Sequence, residues 1–316
     1  MSNILYISCH SVLEYDEIKI LKELGHQVFS CGAYITPTNP QEKLRDPVNL
    51  IQNKEWINIF NQTKCRNLGN GFWYFSKEFL DNFDTIIFMH SYQGLINSMK
   101  MFSGKRVFWR TIGQSNTAIE KSVSKIKNDI KIIRYSERES LIPGYCGQDY
   151  LIRFYKDRKE FYQWEKKIDK ICIFYNAFHA RSKHFNIHNY EHYISKLPHE
   201  IFGRNNIEKN FMGEKTYDEQ KKILSSYASN YVINTNPASY TLSFIEAMAS
   251  GCPMIIDRSF ENNLDERMDL LGGNQIFYNT NISDESILNE KIRLQNLCFD
   301  KFFNKEAIKK QWNKII

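Results

Sequence analysis

Apolar positions along the chain fall into short runs separated by amphipathic stretches. Residues 3–8 read as a strand, residues 14–25 as an amphipathic helix ended by Gly25, and residues 27–30 as a second strand. The same rhythm predicts strands at 85–90, 106–110, 131–135 and 149–154. It resumes with strands at 170–175, 200–202 and 231–234, a helix over 241–249 and a strand at 253–257. Strands that alternate with helices predict parallel sheets covered on both faces, the α/β class. A last helix, about 305–316, places Ile308, Trp312 and Ile315 on one stripe that must pack on something.

Two stretches break the rhythm. Residues 41–81 interleave Trp56, Phe60, Phe72, Trp73, Tyr74 and Phe75 with Lys, Asn and Gly, which predicts an inserted helical or loop excursion. Residues 156–167 are charged and dotted with Phe161, Tyr162 and Trp164. The alternation restarts after them, so the expected domains are 1–157 and 158–300, with 301–316 a closing helix.

Composition narrows the class. The chain has 316 residues, a net charge of +6, and 42% hydrophobic and 14% aromatic residues, which describes a globular protein and disfavours disorder. Apolar runs such as 86–89 are far shorter than the roughly 18 residues of a membrane-spanning helix. Residues 1–7 show neither the basic region nor the long apolar core of a secretory signal, which predicts a cytoplasmic protein. Peripheral membrane association and the interior of a virus-infected host are the alternatives. Seven cysteines without a C-x-x-C pair predict reduced, mostly buried thiols, neither a disulfide framework nor a zinc site. The densest basic stretch, Lys121, Lys125, Lys127, Lys131 and Arg134, reads as a solvated helix face; the mild charge excess is no nucleic-acid signature by itself.

Residues 236–256 carry the most chemistry. A strand, a polar turn and a helix starting near Thr241 leave backbone N–H groups at the positive end of a helix dipole, which suits a phosphate. Glu246, about one and a half turns in, is placed to accept hydrogen bonds from vicinal hydroxyls such as those of a ribose. The pattern alone fits a capped helix with a surface glutamate equally well.

This segment resembles the donor-site motif of GT-B glycosyltransferases of the family-4 type. Leu242, Glu246, Ala247, Met248, Ala249, Gly251 and Pro253 match it in register, while Ala238 stands where the family carries a first glutamate that contacts the transferred sugar. The resemblance runs in order along the chain and implies two Rossmann-like domains facing across a cleft, the nucleotide-sugar donor on the C-terminal one and the acceptor on the N-terminal one. It implies further that the closing helix packs back on the N-terminal domain. Within the donor domain it implies that Tyr240, Thr241 and Leu242 line the donor and that Arg181 and Lys183 neutralise the leaving diphosphate. Gly203 would lie beside the nucleotide base, with Phe211, Met212 and Gly213 in the following turn. On the acceptor side, His90 would end a strand facing the cleft and His10 would follow the first strand, where the family usually has glycines.

The turns at 109–114, with Trp109 and Arg110, and at 134–138 fall at carboxyl strand ends, the ligand edge of a parallel sheet. Glu14 and Asp16 are the carboxylates nearest that edge and are candidate general bases. Trp73 and Tyr74 are candidates for stacking on an acceptor. His184, His188 and His192 recur every four residues, yet three ligands on one straight helix cannot reach one ion, and no Asp-x-Asp pair is present. The expectation is a metal-independent hexosyltransferase with no cofactor and a nucleotide sugar, such as a UDP-sugar, as co-substrate. Its acceptor would be a surface glycan or a lipid-linked sugar. Residues 240–257 are also similar to the corresponding part of phage DNA β-glucosyltransferases, which makes hydroxymethylated DNA a second possible acceptor. A non-catalytic nucleotide-sugar-binding protein is the third reading.

Overall fold

The computed structural model describes residues 1–32, 53–69, 71–113, 115–182, 185–207, 210–233, 239–258 and 266–316. They form two compact units: Met1–Arg153 with Ile308–Ile316, and Phe154–Ala307.

The first unit opens as a βαβ motif, β1 (Asn3–Ile7), α1 (Ser11–Glu23) and β2 (Gln27–Cys31). His10 caps α1, its Nδ1 accepting the Leu13 amide at 3.4 Å, so the helix begins three residues earlier than its apolar pattern suggested. In the aromatic excursion, α2 (Lys54–Gln62) is capped by Asn53, β3 (Arg66–Gly69) and β4 (Phe72–Tyr74) pair as an antiparallel hairpin, and α3 (Lys77–Leu80) is capped by Ser76. Residues 41–52 of the expected excursion lie outside the described residues. The rhythm then returns with β5 (Thr85–Met89), α4 (Tyr92–Ser98), β6 (Arg106–Arg110), α5 (Thr117–Val123), β7 (Lys131–Arg134) and β8 (Tyr150–Leu151). β8 is two residues long where six were expected, because only Tyr150 and Leu151 find partners on β7.

These strands make one parallel sheet in the order β2-β1-β5-β6-β7-β8. The order reverses between β1 and β5, and in such sheets ligands gather outside the carboxyl ends of the strands at that switch. The excursion supplies one wall of the core: Trp56, Phe60, Trp73, Phe75 and Phe79 pack with Phe29, Phe83 and Phe88. The ring centroids of Trp56 and Phe83 are 4.8 Å apart, and Trp73 stacks on Phe75 at 5.9 Å.

Charged groups are buried in this unit as well. Arg134 makes a two-pronged pair with Glu120, at 2.9 and 2.8 Å, and its guanidinium lies over the rings of Trp109 and Tyr145. The expected solvated basic face therefore loses Arg134 to the interior, while Lys121, Lys125, Lys127 and Lys131 are exposed.

The second unit contains β9 (Ile168–Phe174), α6 (Ile187–Tyr193), β10 (His199–Phe202), α7 (Tyr217–Ser226), β11 (Tyr227–Val232), α8 (Leu242–Ser250), β12 (Met254–Ile256), α9 (Glu266–Leu270) and α10 (Glu285–Phe302). Its sheet is parallel, in the order β10-β9-β11-β12, with a switch between β9 and β11. A capping box, Thr216 with Glu219, starts α7, which passes directly into β11 at Tyr227; that strand thus begins four residues before its expected start. Gly251 closes α8 in the left-handed conformation, φ 76°. Helix α11 (Lys305–Trp312) belongs to both units: its first turn counts with the second, and Ile308–Ile316 with the first. Lys309 of α11 lies 3.6 Å from Glu23 of α1, and Ile308 and Trp312 are buried.

Among the described residues no helix is long and apolar enough to cross a membrane. All seven cysteines are free thiols, six of them buried.

Candidate functional site

In the second unit, the loops after β9 and β10 and the start of α8 follow the carboxyl ends of the strands. The loop after β9 carries Arg181, half-buried, its guanidinium 5.2 Å from the centre of the Tyr175 ring. Among the described residues no carboxylate pairs with it, so its charge is available to a ligand. Lys183 lies outside the described residues.

After β10 comes Gly203, whose φ of 139° and surroundings admit no side chain. A Cβ there would meet the Tyr175 carbonyl oxygen at 2.5 Å and Asn176 Oδ1 at 2.8 Å. The close approach locks the two loops together, with the Ala177 amide bonded to the Arg204 carbonyl at 2.7 Å and the Arg204 amide to Asn176 Oδ1 at 2.8 Å.

The third element is the start of α8. Its N-cap, Thr241, makes no side-chain hydrogen bond to the first-turn amides; its hydroxyl pairs instead with Ser243 Oγ at 3.1 Å. Thr241 and Leu242 are partly exposed there. Tyr240 is not: its ring is buried among Phe154, Phe244 and Phe303, and its hydroxyl accepts the Phe154 amide at 3.4 Å. Packing takes it away from the expected donor-lining role.

Glu246 is neither on the surface nor alone. It is mostly buried, with Oε1 3.0 Å from Nζ of Lys156, a lysine with no exposed side-chain surface. Lys156 also lies over the Tyr217 ring at 5.4 Å. Sequence reading passed over Lys156 because 90 positions separate it from Glu246 and no spacing rule connects them.

In the first unit, the switch between β1 and β5 brings two expected histidines to one edge. His10 follows β1 and His90 follows β5, strands that pair Ile7 with Phe88. His90 has a left-handed backbone, φ 59°, uncommon for a residue with a side chain. Its amide bonds to the Arg110 carbonyl at 2.8 Å, and its carbonyl accepts the Trp109 indole N–H at 3.2 Å. Nδ1 of His90 is buried without a partner among the described residues, and burial pushes the imidazole pKa down from 6.5. A strained histidine that is neutral near pH 7 and has an unused ring nitrogen is equipped to take up a proton.

Other expected acceptor-side residues serve the interior. Trp109 is fully buried and braces His90; Arg110 is fully buried, its Nε 2.8 Å from Glu17 Oε1. Glu14 and Asp16 are buried in the first turns of α1, where the Glu14 carboxylate accepts a hydrogen bond from Ser30 Oγ and lies against Gly32, just past the carboxyl end of β2. Trp73 belongs to the aromatic core, leaving Tyr74, 41% exposed beneath the Arg66 guanidinium, as the ring open to solvent. Gln114 lies outside the described residues. His188 and His192 share α6, whereas His184 lies outside the described residues; among the described residues no group of three or more His, Cys, Asp and Glu could hold a metal ion.

Neither a protein-family model nor a curated protein matches the sequence. Solved structures match the fold. A glycosyltransferase from Rickettsia africae ESF-5 is similar with a TM-score of 0.60 at 10% identity, over 99% of this chain and 97% of that one. Anabaena HepE, solved in complex with UDP-glucose and also with UDP, is similar with a TM-score of 0.63 at 11% identity, over 99% of both chains. The fold is that of the GT-B glycosyltransferases, two parallel-sheet α/β units in one chain.

Proposed function

We propose that this protein transfers a glycosyl group from a nucleotide sugar, of the UDP-sugar class, to an acceptor hydroxyl. In this reading the second unit holds the donor. The first-turn amides of α8 and the Arg181 guanidinium take the diphosphate, and Glu246 accepts hydrogen bonds from the ribose hydroxyls. The bond between the anomeric carbon and the diphosphate oxygen breaks, and a bond from the acceptor oxygen to that carbon forms. The acceptor's proton passes to a base, for which His90 is the best-equipped group of the first unit. The nucleoside diphosphate leaves with the bonding pair, and Arg181 with Lys183 offsets its growing charge.

The observation that carries this reading is Glu246, held by Lys156 in the interior of α8 and in register with the family-4 donor motif. The GT-B fold and the UDP-glucose complex of HepE support it. With no Asp-x-Asp pair and with cationic side chains near the expected diphosphate, the transfer is metal-independent in this proposal, and turnover persists in chelator. The acceptor is a glycan or lipid-linked sugar, and the reaction takes place in the cytoplasm.

Calorimetry with UDP and UDP-glucose, followed by assay of UDP release, tests the proposal. Binding of both, with slow hydrolysis of the sugar nucleotide in the absence of acceptor, is expected. Failure to bind any member of a nucleotide-sugar panel would overturn it, and salt-sensitive binding of hydroxymethylated duplex with sugar transfer to it would move the acceptor to DNA.

A further inference from the structure

A pocket of about 570 Å³ opens in the second unit at the carboxyl end of α8. Helix α8 has nine residues, so this end lies about 13 Å along its axis from the turn assigned to the diphosphate. The volume falls in the range of small-molecule sites.

Its lining selects a chemical class. Phe161 and Trp164, from the charged stretch between residues 156 and 167, bring two half-buried rings. Trp164 is fixed in place: its amide bonds to the Ser250 carbonyl at 3.0 Å and its indole N–H to the Tyr227 carbonyl at 2.7 Å. Gln163 and Asn289 contribute carboxamides that have no hydrogen-bond partner among the described residues, and each offers both donors and an acceptor.

Charge is nearly absent. The one cationic residue among the described lining, Arg158, is balanced by Asp300 at 3.3 Å, and its guanidinium also donates to Asn296 Oδ1 at 3.0 Å. The carboxyl end of a helix carries partial negative charge, which disfavours a phosphate or carboxylate ligand. Among the described residues that line the pocket none is acidic, so none attracts a cation. Fixed ring faces, unengaged carboxamides and compensated charge suit a neutral ligand with an apolar C–H face and a rim of hydroxyls.

We propose that this pocket is a second saccharide-binding site, which holds a neutral oligosaccharide on the donor unit away from the transfer centre. The rings cover the C–H face of a pyranose, while Gln163 and Asn289 pair with adjacent hydroxyls. The assignment is independent of the transferase reading, because it uses none of the residues given a role there.

Saturation-transfer NMR and calorimetry on the full chain, with neutral hexamers of glucose, galactose, mannose and N-acetylglucosamine, test it. At least one hexamer should bind in the presence of saturating UDP. Asn289→Trp, which places a bulky ring in the pocket from an exposed helix position, should weaken that binding about tenfold or more and leave UDP affinity unchanged. If that variant loses melting temperature, Gln163→Ala with Asn289→Ala replaces it, with the same expectation. Absence of binding by all four hexamers, displacement by UDP, or binding indifferent to these substitutions would overturn the assignment.

Discussion

Lys156 Nζ stands 3.0 Å from Glu246 Oε1, the lysine side chain fully enclosed and the carboxylate nearly so. The contact joins the start of the second unit to the middle of α8. A glutamate that by pattern alone could decorate a surface is instead held in one orientation by a buried cation. Breaking a buried ion pair by removing one partner costs about 3 to 5 kcal/mol.

Glu246→Ala is therefore expected to have two effects. Donor affinity should fall by about 1 to 3 kcal/mol, the cost of an emptied charged hydrogen-bond site, and the melting temperature should drop because buried Lys156 loses its contact with the Glu246 carboxylate. Adding Lys156→Met should restore most of the melting temperature and none of the donor affinity. Wild-type affinity for UDP-glucose in the double variant, measured by calorimetry, would remove Glu246 from the donor site.

Arg181→Ala should lower kcat more than it raises the donor KM, because the charge on the departing diphosphate grows in the transition state. Steady-state kinetics against UDP-glucose separates the two parameters. A change confined to KM would mean that Arg181 holds the donor without aiding its departure.

His90→Asn keeps a residue that tolerates a left-handed backbone, so the fold should survive while the base is lost. A fall in kcat of about 10²- to 10⁴-fold is expected. Burial lowers the His90 pKa, so the acid limb of the wild-type rate should have its midpoint below the 6.5 of a free imidazole. Retention of both rate and acid limb in the variant would place the base elsewhere.

Acid should weaken the first unit through Glu120. Burial by itself would raise this carboxyl, but hydrogen bonds from Arg134, Ser115 and the Cys146 amide prevail and hold its pKa at about 2, against 4.5 for the free group. A folded pKa below the unfolded one gives stability that is present above pH 4.5 and lost as pH falls towards 2. The amount is on the order of 3 kcal/mol. Melting curves from pH 5 to 2 should show this slope in the wild type and a shallower one in Glu120→Gln.

Trp73→Ala and Tyr74→Ala should part company. Removing the buried Trp73 ring is expected to cost about 3 to 5 kcal/mol, whereas the exposed Tyr74 should be lost with a change of about 0.5 kcal/mol or less. Chemical denaturation distinguishes them. Reduced transfer at unchanged stability in Tyr74→Ala would bring the hairpin into acceptor binding.

Strand and helix succession was legible in the sequence because period and punctuation are local: the 27–30 run, Gly25 and the 241–249 pattern each appear within about three residues of their place in the fold. The α8 segment was legible for the same reason. Side-chain direction was not. Arg110 and Arg134 look like ligand-edge cations in sequence, yet Glu17 and Glu120, 93 and 14 positions away, draw them inward. Trp73 and Tyr74 are adjacent and on opposite faces of a short strand, one enclosed and one open, a distinction that depends on what the hairpin packs against. Lys156 was hidden for the converse reason: its partner is remote, and an isolated lysine in a charged stretch reads as solvated.

Helix α11 sets the order in which the protein can be finished on the ribosome. The segment Ile308–Ile316, with the enclosed Trp312, completes the first unit but is synthesised after all of the second. While the second unit is being made, the nascent first unit leaves uncovered the apolar surface that Ile308 and Trp312 will fill. Its exposure to chaperones and to self-association therefore lasts for the translation of the intervening chain, and a stop codon before residue 308 would damage the unit that was made first.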